Sequence, residues 1–130
     1  MSTTAEQTQN STTLAWPEFK SKYDNYIGGK FVPSVGGQYF DVISPIDGQV
    51  FTQAVHSNKE DLENAVNAAS EAFKSWKLTS STERSIILNK IADRIEENLE
   101  YLATVETIDN GKAVRETLAA DIPLAIDHFR

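Results

Sequence analysis

Residues 49–62 read Gln49-Val50-Phe51-Thr52-Gln53-Ala54-Val55-His56-Ser57-Asn58-Lys59-Glu60-Asp61-Leu62, and the hydrophobic period changes inside this stretch. Up to Val55 the pattern is close to two, as in a strand whose alternate side chains face one side. From Ser57 onward it is close to 3.6, as in a helix with one apolar stripe. Ser57 followed by Glu60 predicts a capping box, with hydroxyl and carboxylate each accepting a free backbone donor at the helix start. Strands are therefore expected before this point and helices after it.

Toward the amino terminus, Tyr39 to Ile43 predicts a strand that pairs with Gln49 to Val55 across Ser44-Pro45-Ile46-Asp47-Gly48. Pro early and Gly late in that link form a turn signature. Tyr26-Ile27 and Lys30-Phe31-Val32 flank Gly28-Gly29, a two-residue loop able to take the positive φ angles of a tight hairpin. Pro33 ends the second of these strands, and Gly36-Gly37 turns the chain again. Two hairpins are thus expected within residues 26–55. Trp16, Phe19 and Tyr23 follow at near-helical spacing around Pro17, which predicts a short helix anchoring the segment to the body. Residues 1–15 are polar and poor in large apolar groups, and are read as a flexible tail.

Toward the carboxyl terminus, Leu62, Ala65, Val66, Ala69, Phe73 and Trp76 form one apolar stripe. Ser80 with Glu83 predicts a second capping box. Ile87, Ile91, Ile95, Leu99, Leu102, Val105 and Ile108 follow at spacings of three or four, too long a run for one helix, so a break is expected near Asn98. Asn110-Gly111 is expected to close the run as a helix C-cap. Asp121 and Pro123 predict a fresh helix start, with Asp121 as N-cap and Ile122, Ala125, Ile126 and Phe129 as its apolar face. Helices are thus expected over residues 58–130. Strands followed by helices do not complete a doubly wound βαβ sheet. The stripe is still running at Arg130, so the expectation is an incomplete α/β fold that continues in a longer parent protein.

Composition narrows the function. Twelve Lys and Arg against 19 Asp and Glu give a net charge of −7, a field that repels phosphate backbones, so no nucleic-acid role is expected. Apolar runs are only a few residues long, so no membrane span is expected. The absence of cysteine excludes disulfides, thiolate metal sites and a cysteine nucleophile within these residues. Residues 1–15 carry no Lys or Arg and no apolar stretch, so neither a secretory nor a mitochondrial leader is expected, and a cytoplasmic protein follows. His56 and His128 lack catalytic partners at a telling spacing and are read as structural. No G-x-G-x-x-G or P-loop pattern occurs, and no His or acid spacing suggests a transition metal.

Several segments, in order, resemble the amino-terminal region of the aldehyde dehydrogenase superfamily. They are Tyr26 to Val32, Phe40 to Gly48, the helix Ala65 to Trp76, Glu83-Arg84, Glu106-Thr107-Ile108-Asp109-Asn110-Gly111-Lys112, and Asp121 to Arg130. The resemblance implies a piece of an enzyme that oxidises aldehydes to carboxylic acids with NAD or NADP, homo-oligomeric when full length. It implies that the cysteine nucleophile, the glutamate that activates water, the oxyanion-stabilising asparagine and the nucleotide-contacting residues all lie beyond residue 130. No catalytic or cofactor-binding residue is therefore expected here, and the chain alone is expected to be inactive. It also implies a monovalent-cation site, K+ or Na+, built from main-chain oxygens of Val42 and Ile43 and from Asp109. Oxygen ligands suit a hard cation. Beside that reading stands a plainer one, in which Asp109 only hydrogen-bonds near the helix end. Ser44 stands where many relatives carry Asn, and Ala113 where many carry Pro. The rival to the fragment is a truncated stand-alone paralogue that binds another protein through Ile122, Ile126 and Phe129.

Overall fold

The structure is a computed structural model that describes residues 16–130; the tail reading of residues 1–15 falls outside the described residues. The described residues form five short strands and then a run of helices, a mixed α/β arrangement. Strands β2 (Asn25–Ile27) and β3 (Lys30–Val32) make the first hairpin, with Tyr26 opposite Phe31. Its loop is Gly28-Gly29, with φ of 60° and 82°, the left-handed pair that a two-residue loop needs to match strand twist. Strands β4 (Tyr39–Ile43) and β5 (Val50–Val55) make the second hairpin, with a bulge after Val42. The expected link closes it: the Gly48 N–H donates to the Ser44 carbonyl at 2.8 Å.

The helix expected around Trp16, Phe19 and Tyr23 does not form. Residues 16–20 have no regular structure, and Lys22–Tyr23 is a strand, β1, parallel to β5. The Phe19 ring lies 4.8 Å from that of Phe51, and the Thr52 hydroxyl donates to the Lys20 carbonyl at 2.7 Å. Side chains three and four apart suggest a helix, but one isolated turn is costly to nucleate. The free edge of β5 offers the same backbone ready-made partners, and the sheet takes the order β1-β5-β4.

Helix α1 (Lys59–Trp76) begins one residue later than expected. Asn58, not Ser57, is the N-cap, and its side-chain oxygen accepts from the amides of Glu60 and Asp61. The reciprocal partner is Asp61 rather than Glu60. Its carboxylate accepts from the Asn58 amide, the Val35 amide and the Ser34 hydroxyl, at 2.8, 2.8 and 2.7 Å. These three donors, led by the backbone ones, hold the buried carboxyl of Asp61 below its ordinary pKa against the opposing effect of burial. Both positions offer capping side chains, and the long-range bonds to the turn after β3 choose between them. The displaced Ser57 hydroxyl donates to the Asn25 side chain instead.

Helix α2 (Ser81–Glu97) has the expected Ser80–Glu83 box, and the break falls at Asn98 before α3 (Leu99–Asn110). Gly111 ends α3 with φ of 77°, and its amide donates to the Thr107 carbonyl at 2.8 Å. A short α4 (Val114–Glu116) then runs through a π-helical segment, Thr117–Asp121, into α5 (Ile122–Phe129). Asp121 is therefore not an N-cap. Its backbone is helical and its carboxylate pairs with the Lys112 ammonium. The chain accommodates Pro123 by widening one turn, so that the Ile122 amide reaches back five residues to the Thr117 carbonyl. Proline has no N–H to offer the regular ladder, and the extra residue removes the conflict without ending the helix.

Burial is uneven. Helix α5 packs on α2 and α3, and Ala92, Ala103, Ile108 and Ile126 are buried there around the fully buried Thr117. Of the face expected to be adhesive, Ile126 is buried in this cluster, Ile122 is half-buried and Phe129 is exposed. Open apolar surface also lies on α1, and on α2 at Ile86 and Leu88. Leu62 is 63% exposed and Phe73 58% exposed, along one face with Val66 and Trp76. Among the described residues no helix is long and apolar enough to cross a membrane.

Candidate cation site

Two distant segments meet at one end of the molecule. The chain leaves β4 at Ser44, which is almost wholly buried and whose hydroxyl donates to the Ile108 carbonyl at 2.7 Å. That carbonyl belongs to the last turn of α3 and has no partner further along its own helix. Pro45 lies against Gly111 so closely that a Cβ on the glycine would sit 2.9 Å from the proline Cγ. The turn after β4 is thus seated on the carboxyl end of α3. This contact brings the neighbourhood of Val42 and Ile43 to that of Asp109.

The two carbonyl positions differ. Ladder bonds flank the hairpin, from the His56 amide to the Gln38 carbonyl and from the Ser44 amide to the Gln49 carbonyl. Positions alternate along an antiparallel pair, so Val42 is a bonded position opposite Thr52, and Ile43 opposite Val50 is not. The Ile43 peptide groups therefore face the open edge, since β4 is the outer strand of its sheet. The Val42 carbonyl serves the ladder and has its second lone pair left. Val42 and Asp109 line one groove of about 820 Å³ together with Phe19, Phe51, Leu102 and Ile122. Ile43 is exposed beside it.

Asp109 sits in the last turn of α3, where helix carbonyls concentrate negative potential. Glu106 lies one turn before it, and that last turn contains no basic residue. Local bonding at the helix end is made by its neighbour: the Asn110 side chain accepts from the Lys112 amide at 2.8 Å. Among the described residues no hydrogen bond to the Asp109 carboxylate is formed; the side-chain bonds at this helix end are made by Asn110. The Lys112 ammonium donates to Asp121, and that bond raises its pKa while burial opposes. A carboxylate at the negative end of a helix, one turn after a second acid, is a place where a cation is electrostatically favoured.

Among the described residues no three His, Cys, Asp or Glu side chains converge as a metal centre. Main-chain oxygens would have to supply most of the donors. An oxygen-only set with one formal charge fits a hard, weakly charged ion and not a transition metal. Ser44 was visible in the sequence only as an unusual neighbour of Pro45. Its bond to Ile108 spans 64 residues and leaves no local signal.

Comparison with known proteins follows the same outline. The sequence model of the Aldehyde dehydrogenase family matches residues 31–130. An aldehyde dehydrogenase of Deinococcus radiodurans is 67% identical over 112 residues, which are 86% of this chain and 22% of that protein. A long-chain-aldehyde dehydrogenase of an Acinetobacter species is 62% identical over the same shares of the two chains. An indole-3-acetaldehyde dehydrogenase of P. syringae, solved with NAD+ and IAA, superposes with a TM-score of 0.81 at 31% identity, over 85% of this chain and 23% of that one. The chain spans about a fifth of the length of the curated relatives it matches, 22% in each case.

Proposed function

The chain belongs to the aldehyde dehydrogenase family, and on that premise we propose that it is the amino-terminal part of an enzyme oxidising aldehydes to carboxylic acids with NAD or NADP. The observation that carries this reading is the family match over residues 31–130, joined to relatives several times longer that are named as aldehyde dehydrogenases. Support also comes from the apolar face of α1, which is too exposed for a finished domain and suits a surface that further chain covers. A cysteine nucleophile is needed for this chemistry, and the 130 residues contain no cysteine. The role read for these residues is therefore scaffolding: hairpins and helices that buttress the cofactor-binding part of a homo-oligomeric cytoplasmic enzyme.

The second part of the proposal is that the Val42 and Ile43 carbonyls and the Asp109 carboxylate hold K+ or Na+. Bound there, the ion would offset the negative end of α3 and tie it to the outer strand. The acid-rich last turn of α3 favours it.

The test of the enzyme reading has two arms. The native gene product should reduce NAD or NADP in the presence of an aldehyde, followed by nicotinamide absorbance. The 130-residue chain alone should give no turnover above a boiled control. Turnover by the short chain, or none by the native product across short and long aldehydes, would overturn it.

A further inference from the structure

We infer that Asn110 is a site of spontaneous covalent modification, deamidating to aspartyl and isoaspartyl products, and that the hydrogen bond from the Gly111 amide to Thr107 gates the reaction. No other asparagine of the sequence is followed by glycine. The step is an internal cyclisation. The Gly111 nitrogen loses its proton to solvent base and attacks Cγ of Asn110, forming a new N–C bond. The Cγ–Nδ2 bond breaks, and Nδ2 takes a proton from water and leaves as ammonia. Water then opens the cyclic imide at either carbonyl. One opening leaves a normal main chain with a carboxylate on residue 110, and the other routes the main chain through the former side chain. Nothing is oxidised or reduced. Glycine suits the attack because no Cβ shields its nitrogen.

The electrophile is prepared and the nucleophile is held back. Both residues are exposed, so base and water reach them. Oδ1 of Asn110 accepts from the Lys112 amide at 2.8 Å, which polarises the Cγ carbonyl toward attack. Nδ2, the leaving group, is held only by a long 3.4 Å bond to Glu106. Against this, the Gly111 amide donates to the Thr107 carbonyl at 2.8 Å, so its proton is engaged. Asn110 is also the last residue of α3, and it must give up its helical setting before the ring can close. Fraying of that one turn frees the nitrogen, and the rest of the fold need not open. Either product adds a carboxylate beside Glu106 and Asp109 at the negative end of α3, whose last turn has no basic residue. The isoaspartyl product also lengthens the main chain before Gly111 and slackens the seat on which Pro45 rests.

The experiment incubates the native gene product at mildly alkaline pH, folded and in unfolding urea. Conversion is read by peptide mass, from replacement of NH2 by OH, and enzymatic methylation scores the isoaspartyl product. Unfolded, the peptide holding Asn110 should convert well ahead of those holding Asn58, Asn67 and Asn98. Folded, it should convert about tenfold more slowly, the worth of one hydrogen bond. That slower rate should vary little with urea below the unfolding transition, since opening one turn exposes little surface. The acidic species collected by anion exchange from aged folded protein should melt below fresh protein, and Asn110→Gln should yield none of it. Equal rates folded and unfolded would overturn the gate. A folded rate that climbs steeply with urea would overturn it as well, because global unfolding would then be the controlling step. No preference for Asn110 in the unfolded chain would remove the site itself.

Discussion

The carboxylate of Asp61 and the hydroxyl of Ser34 lie 2.7 Å apart, both buried, and join the start of α1 to the turn after β3 across 27 residues of chain. Three donors converge on that one carboxylate, so an isosteric amide is a poor replacement. Asp61→Asn would put an NH2 group in place of one oxygen, facing either the Val35 amide or the Asn58 amide with the Ser34 hydroxyl, so at least one donor loses its acceptor. The expected outcome is a lower melting temperature of the native gene product, with loss of hydrogen-exchange protection in the first turn of α1. Ser80→Ala, which removes the other N-cap, is solvent-exposed and should cost only about 1 kcal/mol in urea unfolding. An Asp61→Asn effect no larger than that of Ser80→Ala would deny the network its role.

The same carboxyl makes stability depend on pH in a definite direction. Its folded pKa lies below the ordinary carboxylate value because the charged form accepts the Asn58, Val35 and Ser34 bonds. Its contribution is therefore fully present above that ordinary value and is lost as pH falls through the folded pKa. Glu83, held down by Ser80, acts in the same sense. Acid titration of the melting temperature should steepen below about pH 4, and the slope should flatten in Asp61→Asn. An unchanged slope in that variant would show that other carboxylates govern acid unfolding.

Gly111 is constrained twice. Its φ of 77° costs an L-residue about 1–2 kcal/mol, and a Cβ would press on Pro45 at 2.9 Å. Gly111→Ala should destabilise by at least that backbone amount. Gly111→Ala combined with Pro45→Ala should recover only the steric part. If the double variant recovered everything, the left-handed backbone would be carrying no strain.

Produced alone, the 130-residue chain should self-associate and bind a hydrophobic dye. Leu62 at 63% exposure and Phe73 at 58% form an open apolar face on α1. Sedimentation and dye fluorescence check this. A compact monomer with a sharp, cooperative melt would mean that the exposed face needs no cover.

The parts of the fold that were legible beforehand are those with local causes. Gly28-Gly29 needs positive φ, Ser80 and Glu83 cap each other within one turn, and Gly111 ends a helix on its own backbone. The errors share a different origin. Ser57 and Asn58 are equivalent caps locally, and only Ser34 and Val35, more than twenty residues away, decide between them. Phe19 and Tyr23 looked helical because the edge of β5 that recruits Lys22–Tyr23 lies thirty residues further on. Asp121 before Pro123 is a sound N-cap signature, defeated by a widened turn that has no sequence mark of its own. At the candidate site, Val42, Ile43 and Asp109 came from family likeness, whereas Ser44 emerged only once both ends of its hydrogen bond were seen together.

The widened turn at Thr117–Asp121 acts as a phase shifter. One surplus residue rotates everything downstream by about 100° around the helix axis. That rotation is what aims Ile126 at the cluster containing Ala92 and lets Arg130 reach Asp93 and Glu96 on α2. Deleting Ala119 would leave composition and length nearly untouched, yet it would swing the aliphatic side of the last helix outward and unclasp the terminal arginine. A single-residue gap in this segment is thus a change of direction, felt wherever the chain goes next.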